Sequence, residues 1–105
     1  MQIQINTDDN IEGSDRLAQQ VEAVVRDALD RFGEQITRVE VHLSDANSGQ
    51  KGGVDDKRCL LEARLAGLQP IAVSHEAETM RQAVGGATEK LVRTLESTLG
   101  RLRDR

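Results

Sequence analysis

The chain carries two histidines, one cysteine and a scatter of carboxylates, and these are the side chains that could do covalent or metal chemistry. The candidates are His42, His75, Cys59, Asp45, Asp55, Asp56 and Glu62. Asp45, Asp55 and Asp56 flank a glycine-rich stretch, but they lack the alternating ligand spacing of a calcium loop, so loop solubility explains them. Gly49-Gln50-Lys51-Gly52-Gly53 has neither the Gly-Lys-Ser/Thr ending nor the following helix of a phosphate-binding loop and reads as a hairpin tip. Cys59 alternates with apolar neighbours and is expected in the core, where a thiol behaves as a small hydrophobe. A single cysteine forms no internal disulfide and no thiolate metal site. His42 is expected as a solvated residue on the outer face of a strand. No catalytic residue, cofactor site, metal site or small-molecule substrate is therefore expected.

Charge is more informative. The 105 residues hold 14 Lys plus Arg and 18 Asp plus Glu, a formal net charge of -4, so the chain is not generally basic. The two halves differ: residues 1–50 hold 4 basic and 10 acidic side chains, whereas residues 51–105 hold 10 and 8. From Lys90 to Arg105 there are five basic residues against two acids, so any polyanion contact belongs there first. Lys90, Arg93, Arg101 and Arg103 are the helical candidates, and Arg58 and Arg64 form a second cluster on a strand. Only one aromatic residue, Phe32, is present. The lack of aromatics argues against base stacking on the sheet surface, so these cations read either as an ordinary solvated helix face or as a site that recognises RNA shape and phosphates.

The elements that must position these groups follow from periodicity. Residues 2–6 and 38–44 alternate polar and apolar at period two, the pattern of half-buried strands. Between them, Gly13-Ser14 offers an N-cap, and Leu17, Val21, Val24, Ala28 and Leu29 recur at helical spacing up to Phe32, with Gly33 as C-cap. Residues 45–56 read as a mobile hairpin loop. A third strand over 58–65 turns Cys59, Leu61, Ala63 and Leu65 inward and Arg58, Glu62 and Arg64 outward. Gly67-Leu68-Gln69-Pro70 leads into a short fourth strand over 71–75. The last helix spans about 78–101, with Val84, Ala87, Leu91, Leu95 and Leu102 on its apolar stripe and Met80, Ala83 and Leu99 beside it. Gly85-Gly86 inside that helix implies close packing.

The order β-α-β-β-β-α predicts an α+β fold: one four-stranded mixed sheet with both helices packed on one face and the other face open. The crossover helix makes the first two strands parallel, and the rest follow as an antiparallel meander. Gln2, Gln4, Asn6, Arg38, Glu40, His42, Arg58, Glu62, Arg64 and Ser74 should populate the open face. Residues 1–105 are expected to form a single domain, with no signal peptide, no membrane span and a soluble, cytoplasmic location.

Over nearly its whole length the chain resembles the short ribosome hibernation-promoting factors and ribosome-associated translation inhibitors. The resemblance rests on Met1-Gln2-Ile3-Gln4-Ile5 with Asn10-Ile11-Glu12. It rests more specifically on Ala83-Val84-Gly85-Gly86-Ala87-Thr88-Glu89-Lys90-Leu91-Val92-Arg93-Thr94-Leu95, similar to that family's second helix. It implies the same β-α-β-β-β-α fold and a non-enzymatic factor, without a cofactor, whose partner is the small ribosomal subunit. Contact would be to ribosomal RNA phosphates in the messenger and transfer RNA channel, holding idle ribosomes inactive. Lys90 and Arg93 match basic family positions, and Arg101 and Arg103 fall in the basic end of the helix. The extra C-terminal dimerisation domain of long members is not expected.

Three features depart from the pattern. The first helix presents Glu22, Asp27 and Asp30 among Arg16, Arg26 and Arg31, Arg81 stands where many members carry an aromatic, and the loop is richer in glycine. Trading cations for acids weakens salt-sensitive RNA affinity. The acidic first helix leaves an alternative role open, a regulatory module that binds a basic protein on the same fold without ribosome binding.

Overall fold

The computed structural model describes residues 1–8, 14–45 and 57–103. Strand β1 (Gln2–Thr7) leads to helix α1 (Ser14–Leu29) and a single 3-10 turn (Asp30–Phe32). Strands β2 (Ile36–Asp45), β3 (Lys57–Leu65) and β4 (Ile71–Ala77) follow, and helix α2 (Met80–Arg103) closes the order. The sheet runs β1-β2-β3-β4, with β1 parallel to β2 and the remaining pairs antiparallel, as the sequence pattern predicts. The glycine-rich segment with Asp55 and Asp56, and the Gly13 half of the proposed cap, lie outside the described residues.

Alternation decides which side of each strand is dry. Val39, Val41 and Leu43 of β2, Cys59, Leu61, Ala63 and Leu65 of β3, and Ala77 of β4 are buried. Ile3, Ile5, Ile71 and Val73 pack partly buried against them from the two edge strands. Over this face lie Val21, Val25 and Leu29 of α1 and Ala83, Val84, Ala87, Leu91 and Leu95 of α2. Helix α1 rests against β1 and α2 against β3 and β4, so both helices cover one face. Each buried aliphatic side chain contributes roughly 1.5–3 kcal/mol, which is why an almost aromatic-free core suffices.

Several local features differ from the periodicity reading. Ile36 and Val39 are both buried although three residues apart. A bulge explains this: Ile36 pairs with Leu65 but Arg38 with Arg64, so Thr37 is the extra residue. The Thr37 hydroxyl donates to the Arg64 carbonyl at 3.2 Å. Val24, expected inward, is 49% exposed, and Val25 takes its place with no exposure. The buried stripe advances by four residues from Val21 to Val25 to Leu29, which turns position 24 out of the seam. Leu102, expected on the α2 stripe, is 42% exposed. Gly33 caps the 3-10 turn with φ -58°, an ordinary right-handed conformation, so it does not supply the left-handed C-cap expected of it.

Helix α2 starts two residues later than the pattern suggests, at a reciprocal cap. The Thr79 hydroxyl accepts from the Gln82 amide at 3.1 Å, and the Gln82 side-chain oxygen accepts from the Thr79 amide at 3.3 Å. Its two central glycines play unlike parts. A Cβ on Gly86 would collide with the His75 ring of β4, so only glycine admits the helix this close. A Cβ on Gly85 would meet nothing within 4 Å, so close packing does not account for that residue.

Candidate polyanion-binding surface

Helical geometry gathers three of the five basic residues of α2 on one flank. Lys90 and Arg101 are eleven residues apart, within about 20° of three whole turns, and Arg93 lies about 60° from Lys90. All three are exposed. Together they form a stripe rising roughly 16 Å along the helix, on the side of the apolar seam next to β4. The Lys90 ammonium donates to the Ser74 carbonyl at 2.9 Å, reaching the outer edge of the β4 edge strand. It therefore covers an unpaired backbone acceptor as well as presenting charge. Arg93 pairs with Glu89 one turn earlier at 2.5 Å, but both side chains are well exposed, at 72% and 63%. Such an exposed i,i+4 pair is worth about 0.3–0.5 kcal/mol and is readily exchanged for a phosphate. Arg101 has no ion-pair partner among the described residues. Arg103 ends the helix, and its side chain is not described.

Arg58 and Arg64 lie on the opposite side of the sheet from α2. They stand at the two ends of β3, six residues or about 20 Å apart. On this open face the charges are set in register. Arg64 lies beside Arg38, Glu62 beside Glu40, and Arg58 beside Glu76. Arg38 donates to the Gln4 side-chain oxygen and sits 3.7 Å from a Glu40 carboxylate oxygen. His42 contacts the Glu62 carboxylate at 2.9 Å, a diagonal cross-strand pair. Arg38, Arg58 and Arg64 are thus balanced in number by Glu40, Glu62 and Glu76, although Arg64 faces Arg38, and the face is nearly neutral. The structure does not bring the two sheet arginines together with the α2 stripe.

The candidates for chemistry are dispersed. Cys59 is fully buried, and desolvation pushes its thiol up to about 12, keeping it neutral and unreactive. His75 packs under α2 against Gly86, away from His42 on the other face. Asp45 is engaged by Lys57 at 3.1 Å, and the Asp8 carboxylate accepts the Asp45 amide at 3.2 Å. Among the described residues no three His, Cys, Asp or Glu converge to hold a metal ion. Nor is any described helix long and apolar enough to cross a membrane.

On α1 the acids are interrupted: Arg26 pairs with Glu22 at 3.5 Å, and Arg31, just beyond, reaches Glu96 of α2 at 2.8 Å. The Thr79–Gln82 cap, the Lys90–Ser74 contact and the Arg38 network escaped the sequence reading. The cap alone had a local signature there, Thr-x-x-Gln before an apolar run.

The fold and this charge distribution can be set beside known proteins. The sequence pattern of the Sigma 54 modulation protein / S30EA ribosomal protein family matches residues 3–103. The chain belongs to that family. Its members are ribosome-associated factors and not enzymes. A ribosomal subunit interface protein from Coxiella burnetii shares the fold at TM-score 0.71 and 18% identity, covering 95% of this chain and 99% of that one. The N-terminal domain of Thermus thermophilus Protein Y superposes at TM-score 0.72 and 22% identity, covering 93% and 99%. At those identities the likeness speaks for the fold. A comparison with curated protein sequences returned no match.

Proposed function

We propose that this protein is a cytoplasmic factor that binds the small ribosomal subunit through ribosomal RNA phosphates and holds idle ribosomes inactive, as in a stress response. The exposed stripe of Lys90, Arg93 and Arg101 carries the reading. Its guanidinium and ammonium groups suit phosphate oxygens, and of the acids beside it Glu89 pairs with Arg93 in the open while Glu96 is turned to Arg31. Arg58 and Arg64 on the open sheet face supply a second, weaker contact, so that RNA of the messenger and transfer RNA channel would meet the domain from the α2 side first. Phosphate contact of this kind needs no cofactor and no aromatic platform. Family membership supports the ribosome as partner.

Sedimentation of a stationary-phase lysate through sucrose gradients at low and high salt tests the proposal. Comigration with small subunits or whole ribosomes that is lost as salt rises is the expected result, since each phosphate contact adds about 0.7–0.9 to the salt slope. Residence at the top of the gradient at low salt would overturn it.

A further inference from the structure

A second surface lies on the other flank of α2, between α1 and the first two turns of α2. Leu17, Val21 and Val24 of α1 and Met80, Val84 and Gly85 of α2 line a trough of about 560 Å³, open along one side. Two features keep it open. Val24 is turned out of the core into it at 49% exposure. Gly85 leaves its edge clear, because a side chain there would enter empty space. A mid-helix glycine costs about 1 kcal/mol relative to alanine, and this one has no packing partner to explain it.

The rim has one sign of charge. Arg81 is the sole charged residue lining the trough, is exposed, and has no ion-pair partner among the described residues. An open trough would leave a small molecule half in water, whereas such ligands are ordinarily 70–90% buried. A helix brings its own cover and needs only an apolar stripe at i, i+3 and i+4 to fill a trough between two helices.

We propose that the α1–α2 trough docks an amphipathic helical segment of a protein partner, its apolar side chains over Val24 and Gly85 and a carboxylate at its edge paired with Arg81. Because Lys90, Arg93 and Arg101 occupy the opposite flank of α2, this contact and the polyanion contact can be made together. The trough would tether a protein while the stripe holds RNA.

The test is selection of a displayed library of amphipathic helical peptides on the full chain, with the Gly85→Leu variant as counter-bait. Enriched peptides should carry the apolar repeat with an adjoining Asp or Glu, and should shift amide resonances of Leu17, Val24, Met80 and Gly85. Gly85→Leu should weaken them by about tenfold or more, as filling the centre of an interface does. Arg81→Glu, a surface change that leaves melting unaltered, should turn the preference from acidic to basic peptides. No enrichment over the counter-bait, or binders indifferent to both substitutions, would overturn the proposal, and sedimentation with ribosomes would be unchanged in either case.

Discussion

The α2 flank and the open sheet face each present three well-placed cations, yet they are different surfaces. On the sheet, pairing at about 5 Å between strands sets Arg58 beside Glu76 and Arg38 beside the Gln4 amide, while Arg64 stands opposite Arg38. Arg38, Arg58 and Arg64 share this face with an equal number of acids, Glu40, Glu62 and Glu76. On the helix, three- and four-residue spacing puts Lys90, Arg93 and Arg101 together, with Glu89 paired to Arg93 and Glu96 drawn off to Arg31. The same residue types thus give a self-satisfied face in one place and a net positive ridge in the other. A count of charges along the chain does not separate these cases. The periods of two and 3.6 do.

The sharpest way to break the comparison is charge reversal on each side. Arg93→Glu with Arg101→Glu should lower ribosome affinity by roughly 100-fold, at about tenfold per charge-assisted contact, and should flatten the salt dependence of cosedimentation. Arg58→Glu with Arg64→Glu should lower it by only about threefold, in line with the small energies of exposed, already matched charges. Equal losses would move the binding surface onto the sheet. Leaving Lys90 intact in this experiment keeps its contact with the Ser74 carbonyl out of the result.

Next in size is the support under the ridge. Gly86→Ala forces the His75 ring to move and should cost roughly 1–3 kcal/mol in thermal or urea unfolding, as overpacking does. Gly85→Ala should leave stability unchanged or raise it by up to about 1 kcal/mol, the ordinary helix-propensity gain. Two adjacent glycines that behaved alike would mean that α2 is not seated on His75.

The smallest effect sharpens the comparison from the sheet side. Glu40→Gln with Glu62→Gln removes two of the three answering carboxylates while keeping shape and hydrogen-bonding capacity. Binding to a non-specific RNA duplex at low salt should then rise about threefold, on the scale of exposed ion pairs. An unchanged titration would show that neutralisation by Glu40 and Glu62 is not what quiets this face.

Much of this was legible in the chain because it is local. The inward set Cys59, Leu61, Ala63 and Leu65 follows from alternation alone, and the stripe from Ala83 to Leu95 from helical period. Periodicity places Val24 inward because a helix stripe about 100° wide tolerates two phases, and only the seating of α1 on the sheet picks Val25 over its neighbour. It places Leu102 inward because periodicity continues along a helix beyond the point where anything remains to be covered. It gives no sign of Ile36 because the Thr37 bulge breaks the alternation there.

What the sequence determined by itself is the order β-α-β-β-β-α, the two-sidedness of each strand, the burial of Cys59 and the concentration of cations on α2, since each depends on residues within a few positions of one another. Only the tertiary structure decided that Arg58 and Arg64 lie across the sheet from α2, that Lys90 reaches the β4 edge, that Gly86 seats His75 while Gly85 stands clear, and that a trough opens beside Arg81. Those facts depend on distances between segments far apart in sequence, which are set by how helices and sheet settle against one another and not by any local period.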